Sequence, residues 1–413
     1  MSNDVPSVNR RWLVVFVAAV GISVSSVNTY SLGVFVRPLQ AEFGWSRADI
    51  MLGLTISTAA GTLFAPFVGV LVDRVGARVI GIAGVATYCL ATASLGLAGA
   101  AIWTWWALWA LVATTTSFIK PMVWTAPISG LFDKRRGLAM SLALCGTGLA
   151  SSLAPIISER LINDFGWRIA YHALGSGWAL VSLPLLFLFF FDAGSKSAVR
   201  QTAAARAELP GISAKAGFRS RWFITLFATT FLATMLIISL MVNFVPMMID
   251  GGLSSVQAAQ IAGITGISSI IGRISTGYLV DRWHGPFIGA AAFLLPAIAC
   301  AILLKFGIHG WSATLVAAML GLSIGAELDV VAYLSSRYFG QRNYGTLFGT
   351  ITSMLSLGTA VGPPLAAHVH DITGSYTLWW WAMIPVSILA SLLMASMGPY
   401  PNYEKERSAS QAL

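Results

Sequence analysis

Four ionisable side chains stand in stretches that otherwise belong in hydrocarbon: Lys120, Arg273, Glu327 and Asp329. Lys120 and Arg273 each have at least six neutral residues on both sides. A charge at membrane depth costs several kcal/mol unless it meets a partner or a water-filled passage, so such residues mark ion and substrate pathways. Two cations suit an anion. Glu327 and Asp329 are two apart, about 200° around a helix axis, so one is expected on the pathway and the other against a neighbouring helix. A carboxylate that loses its cation in an apolar site takes up a proton. That makes the pair a proton-coupling device, with Asp329 preferred over Glu327. The competing explanation is that both carboxylates only neutralise Lys120 and Arg273.

These residues need a membrane to be unusual in, and the composition supplies one. Of 413 residues, 56% are apolar and 10% charged, against roughly 25% charged in a soluble domain. Stretches of the length that crosses a bilayer as helix, about 20 residues, recur at 12–36, 48–72, 79–99, 102–130, 138–160 and 169–191, and again at 222–248, 256–280, 286–306, 311–335, 345–367 and 376–397. We number these spans 1 to 12.

The net charge of +9 is not a nucleic-acid signature. With the N-terminus inside, 18 of the 25 Lys and Arg fall in cytoplasmic segments, among them Arg10, Arg11, Lys134, Arg135 and Arg136. This is the positive-inside pattern of a polytopic protein, with both termini cytoplasmic. The first stretch is too long for a signal peptide and is expected to remain as a helix. Cys89, Cys145 and Cys300 lie within spans without metal-ligand spacing, so they are expected to pack. No catalytic residue, metal or cofactor is expected.

An internal repeat organises the spans. Gly69-x-x-x-Asp73-Arg74 recurs as Gly277-x-x-x-Asp281-Arg282, and Gly137, Pro155 and Gly166 correspond to Gly345, Pro363 and Gly374 at the same displacement of 208 residues. The fold class that follows is all-α, twelve transmembrane helices in two pseudo-symmetric six-helix halves. The boundaries are 1–191 for the first half, 192–221 for a basic cytoplasmic linker, 222–398 for the second half and 399–413 for a tail. Adding the repeat displacement to Lys120 lands on Leu328, between Glu327 and Asp329, so these charges are expected at similar depth. Arg273 lies eight residues before Asp281, about 12 Å into the membrane at roughly 1.5 Å per residue.

Gly69-Val-Leu-Val-Asp73-Arg74-Val-Gly76-Ala-Arg78 resembles the signature between the second and third helices of the major facilitator superfamily. Tyr30-Ser-Leu-Gly-Val-Phe35, Glu42-Phe-Gly-Trp-Ser-Arg47, Phe132-Asp-Lys-Arg-Arg-Gly137, Phe165-Gly-Trp-Arg168 and Arg337-Tyr-Phe-Gly340 resemble its monocarboxylate transporters and oxalate:formate antiporters. The resemblance implies the major facilitator fold, with spans 1, 4, 7 and 10 lining a central cavity. It also matches Arg273 to the span 8 arginine that engages a substrate carboxylate in that family. This chain copies neither site in full: Ser269 stands where many animal monocarboxylate transporters carry an aspartate, and span 11 lacks the lysine of the oxalate:formate type.

The expectation is therefore a secondary transporter for a small organic monocarboxylate, by proton symport and alternating access, and not an enzyme. Arg273, Lys120, Asn28, Tyr30, Trp124 and Asn243 are the substrate candidates. Asp73, Arg74, Arg78, Asp281 and Arg282 are the gating candidates, their charges suited to holding one conformation closed. Trp103, Trp105, Trp106, Trp109 and Trp379 to Trp381 are expected to form interfacial belts, and His172, His368 and His370 to be solvated. Partners are the acid anion, a proton and the bilayer, with a monomer as working unit in a cell inner membrane. The rival functions are anion exchange or efflux, and a transporter-like sensor.

Overall fold

The computed structural model describes residues 8–120, 123–124, 127–128, 131–132, 136–191, 211–340 and 343–401, with side chains of 8–10, 60–70, 72–74, 136–137 and 344–345 excluded. Within these residues it is a bundle of helices. Span 1 is Val8–Phe43, span 2 Arg47–Val75 and span 3 Ala77–Ser94. Span 4 begins as Ile102–Thr116; spans 5 and 6 share Arg136–Leu144 and Gly146–Phe189. The second half runs Arg221–Asp250, Ser255–Arg282, Gly285–Phe306, Gly310–Phe339, Tyr344–Thr373 and Thr377–Ala395. Exposed Leu90, Leu180, Leu188, Ile224 and Leu392 cover the periphery, a surface that hydrocarbon tolerates and water does not.

The repeat seen in the sequence also places a positive-φ glycine at the same point of each half, though with different ψ, 162° at Gly166 and 3° at Gly374. Gly166 ends span 5 at φ 81°, and its counterpart Gly374 ends span 11 at φ 71°. Both turns need a left-handed residue, which glycine supplies without a Cβ clash.

Span 4 departs from the continuous helix expected of it. A 3-10 turn, Ser117–Ile119, leads to Lys120 in extended conformation, φ −60° and ψ 154°. The next residue is Pro121, whose ring disfavours helical ψ in the residue before it. A helix broken in hydrocarbon leaves carbonyls without donors. Here Val123 N donates to Lys120 O at 2.9 Å and Trp124 Nε1 to Ile119 O at 2.8 Å.

The tryptophan belt expected in span 4 is largely a wedge. Trp103 is exposed, but Trp105 and Trp109 are buried, with Trp105 Nε1 donating to Ile50 O at 3.1 Å and Trp106 Nε1 to Asp49 O at 3.0 Å. Trp105 and Trp109 are four apart and share the face toward span 2, where Gly53 leaves room for the Trp109 ring. Trp379 and Trp380 are likewise buried, and Trp381 alone of the three is exposed. Hydropathy locates a tryptophan's depth but not the direction in which it points.

The linker's last residues are pinned to the second half. Ile212 N donates to Phe339 O at 3.1 Å and Asn343 Nδ2 to Ile212 O at 2.9 Å. The short helix Ala214–Arg219, capped by Ser213, then leads directly into span 7.

Candidate functional site

Arg273 is placed by the closest helix crossing in the second half. Small residues on spans 8 and 10 bring their backbones into contact: a Cβ on Gly325 would stand 2.1 Å from Ser269 O and 2.9 Å from Arg273 N, and one on Gly321 would stand 2.3 Å from Thr265 O. The Gly321-x-x-x-Gly325 pair thus packs helices. With the backbones so near, Arg273 Nη1 reaches Asp329 Oδ1 at 2.7 Å. The arginine is 7% exposed.

Among the described residues, Asp329 takes one of the five N–H donors that a guanidinium carries, and no other protein acceptor engages the rest. None of its remaining nitrogens is among the fully buried unpartnered atoms, so they keep some access to the space beside the pair. The uncommitted edge of Arg273 is therefore a place for an acceptor brought from outside the protein.

Glu327 turns the other way, as the 200° offset requires. It is buried and accepts a hydrogen bond from Thr234 Oγ1 of span 7. Tyr30 of span 1 is half-buried within electrostatic reach of both Arg273 and Glu327. Cys145, at the step in span 5, is within such reach of Arg273 and Asp329. The helices of the two halves meet here, where Gly148 of span 5 fits against Gly266, Ser269 and Ile270 of span 8, while Gly146 packs on Ala19 O of span 1 within the first half.

Lys120 is half-buried at the break in span 4 and forms no ion pair among the described residues. The alternative that it serves only to neutralise a span 10 carboxylate has no such pair to support it.

Three other candidates make hydrogen bonds within the protein, although the Asn28 Oδ1 is buried without a partner among the described residues. Asn28 Nδ2 donates to Thr92 Oγ1 of span 3 at 2.9 Å. Asn243 Nδ2 donates to Ser239 O at 2.9 Å and Pro363 O at 3.1 Å, and its Oδ1 accepts from Tyr376 at 3.2 Å. Trp124 is fully buried against Gly21, Gly81 and Phe190 while it caps the broken span 4.

Of the gating candidates, the side chains of Asp73 and Arg74 lie outside the described residues. Arg78 Nη2 donates to Phe187 O at 2.6 Å within the first half. Asp281 and Arg282 are exposed, with Arg282 4.0 Å over the Tyr278 ring.

The strongest contact between the halves was not among the candidates. It lies on the face opposite the termini, where Arg47 binds Asp250 through Nη1 at 2.6 Å and Nη2 at 2.9 Å. Arg47 Nη1 also donates to Tyr376 Oη at 3.1 Å, and Arg37 approaches Asp250 at 3.6 Å. Asp371 accepts from Arg47 N at 3.3 Å and Ala48 N at 2.9 Å, capping span 2 from the other half. His370 adds a 3.2 Å contact to Asp250, so the expectation of a merely solvated histidine is corrected. The available signal was that Arg37 and Arg47 sit on the face where positive charge is scarce.

Comparison with known proteins places this geometry. Residues 13–354 match the family model described as Major Facilitator Superfamily. Monocarboxylate transporter 13 of Rattus norvegicus is 26% identical over 382 residues, 89% of this chain and 84% of that one. A gallate transporter of Pseudomonas putida is 24% identical, with 87% and 88% covered. The crystal structure of a D-xylose-proton symporter superposes with a TM-score of 0.76 at 14% identity, covering 94% of this chain and 98% of that one, a likeness of fold.

Proposed function

The chain belongs to the major facilitator superfamily, and from that premise we propose that it carries a small organic monocarboxylate across the membrane together with a proton. It is a multi-pass membrane transporter that resembles the monocarboxylate transporters, not an enzyme. The proposal adds the cargo, the coupling and the residues.

One observation carries the reading: Arg273, 7% exposed inside the bundle, spends a single donor on Asp329 and keeps the rest. A carboxylate approaching that edge forms two parallel charge-assisted hydrogen bonds. The cargo then displaces Asp329, and the released carboxylate takes up a proton. Anion and proton cross together, so net charge in the site is unchanged by loading. Tyr30 lines the approach from span 1. Asn28, Asn243 and Trp124 support the helices that shape the passage. Relatives named for monocarboxylates and for gallate agree with this chemistry.

The halves 1–191 and 222–398 rock about this site, joined by the linker 192–221, with 399–413 as a tail. Basic residues gathered on the face of the termini support cytoplasmic ends in an inner membrane. The Arg47–Asp250 contact then closes the outer face. A monomer suffices, since each chain holds both halves.

Exchange of one organic anion for another, or efflux, is favoured over symport by one feature. Lys120 has no ion-pair partner among the described residues, and as a cation it would disfavour return of the empty carrier.

Uptake of labelled carboxylates into proteoliposomes under an inward proton gradient tests the proposal. Accumulation that is lost in Arg273→Ala, with the variant still folded and inserted, is expected. Equal uptake by that variant overturns the role of Arg273. Counterflow without accumulation under the gradient selects the exchanger.

A further inference from the structure

We propose that His370 is a second proton site, on the outer face, whose occupancy loosens the contact between the halves. The inference rests on the orientation above but on no particular cargo.

His370 lies three residues beyond the apolar stretch 345–367 of span 11. Its surroundings come from four other elements. Asp250 ends span 7, Arg37 is near the end of span 1, Arg47 starts span 2 and Tyr376 precedes span 12; Asp371 is its neighbour on span 11. The Tyr376 ring is 4.6 Å from the imidazole, centroid to centroid. Tyr376 in turn accepts from Arg47 and donates to Asn243. A displacement of His370 therefore reaches both the ion pair and the hydrogen-bond chain behind it.

The two ring nitrogens differ. Nε2 is 3.2 Å from Asp250 Oδ2, the donor position of a neutral imidazole facing a carboxylate. Nδ1 is buried with no hydrogen-bond partner among the described residues. In the neutral ring it is an unused acceptor. Protonation turns it into a buried donor with nothing to receive it, and adds a third cation beside Arg47 and Arg37 around one carboxylate. Asp250 and Asp371 favour the cation, but Asp250 is already engaged in two hydrogen bonds from Arg47.

Burial, and then the Arg47 charge, hold the His370 imidazole below the usual histidine range, with Asp250 opposing them. When the contact opens and the ring is solvated, it returns toward its ordinary value near 6.5. The sign follows. A group held low in the closed form favours closure fully above its open-form pKa, and that contribution fades as pH falls through its closed-form value. Acid on the outer face favours opening there, where a proton-driven carrier loads.

Spin labels at Ala41→Cys and Thr377→Cys, both exposed positions on the outer face in opposite halves, report this opening in a background with Cys89, Cys145 and Cys300 replaced by alanine. Distances are measured by pulsed electron resonance at pH 6 and pH 8 with no carboxylate added beyond buffer. A larger long-distance fraction at pH 6, abolished by His370→Gln, is expected. Glutamine keeps an N–H donor for Asp250 without titrating. Identical distributions at both pH values, or a pH response that survives His370→Gln, overturn the proposal. If uptake fails while the distances respond, the cargo assignment falls and the outer proton site stands.

Discussion

Asp329 meets Arg273 through one short hydrogen bond, 2.7 Å, from a backbone position that the Gly325 crossing brings within reach. A single contact satisfies the charge without exhausting the donors. This suits a pair that must exchange partners, since a fully engaged ion pair in low dielectric resists separation.

Replacing Asp329 by Asn keeps the shape and removes the carboxylate proposed to carry the proton. The expected result is loss of accumulation driven by a pH gradient, with exchange of labelled for unlabelled carboxylate retained. Gradient-driven accumulation at the original level in Asp329→Asn would assign coupling elsewhere, with Glu327 next in line.

Arg273→Lys keeps the charge but gives up the paired donors. Loss of one charge-assisted hydrogen bond, about 1.5–3 kcal/mol, corresponds to a rise in KM of roughly ten- to a hundredfold. Initial-rate uptake at varied carboxylate concentration measures it. An unchanged KM would mean that the cargo meets this residue as a point charge only.

The crossing itself is testable. A Cβ at residue 325 meets Ser269 O at 2.1 Å, so Gly325→Val has to force spans 8 and 10 apart. Overpacking of this kind costs roughly 1–3 kcal/mol. A lower melting temperature in detergent, together with lost transport, is expected; Gly310→Val, at a position with open space, serves as the control that leaves both unaltered.

The repeat in the sequence anticipated the paired turns at Gly166 and Gly374 because a left-handed residue is a local requirement and leaves a local mark. The Gly321-x-x-x-Gly325 spacing is likewise a local mark, of close helix packing. Lys120-Pro121 carried an equally local signal for the broken span 4, but hydropathy runs straight through it. Azimuth was not legible, which is why Trp105 and Trp109 belonged to the packing and Asn28 engaged Thr92. Contacts between halves were the least legible of all. Arg47 and Asp250 are 203 residues apart, and nothing within either segment specifies the other.

That contact supplies the last prediction. Ala48 N and the Asp371 carboxylate are 2.9 Å apart across the two halves, so a cysteine pair at these two neighbouring positions reports their proximity by disulfide formation. In an alternating-access carrier the outer face must part in every cycle. Oxidation of Ala48→Cys with Asp371→Cys should therefore arrest uptake, and reductant should restore it, whereas either single variant should be insensitive to oxidant. Each single variant also controls for loss of the native groups, since Asp371→Cys removes the cap on span 2 without tying the halves. Complete cross-linking, verified by gel shift after cleavage in the linker, with transport undiminished would show that these residues do not separate during turnover, and the outer closure would then be a static joint rather than a gate.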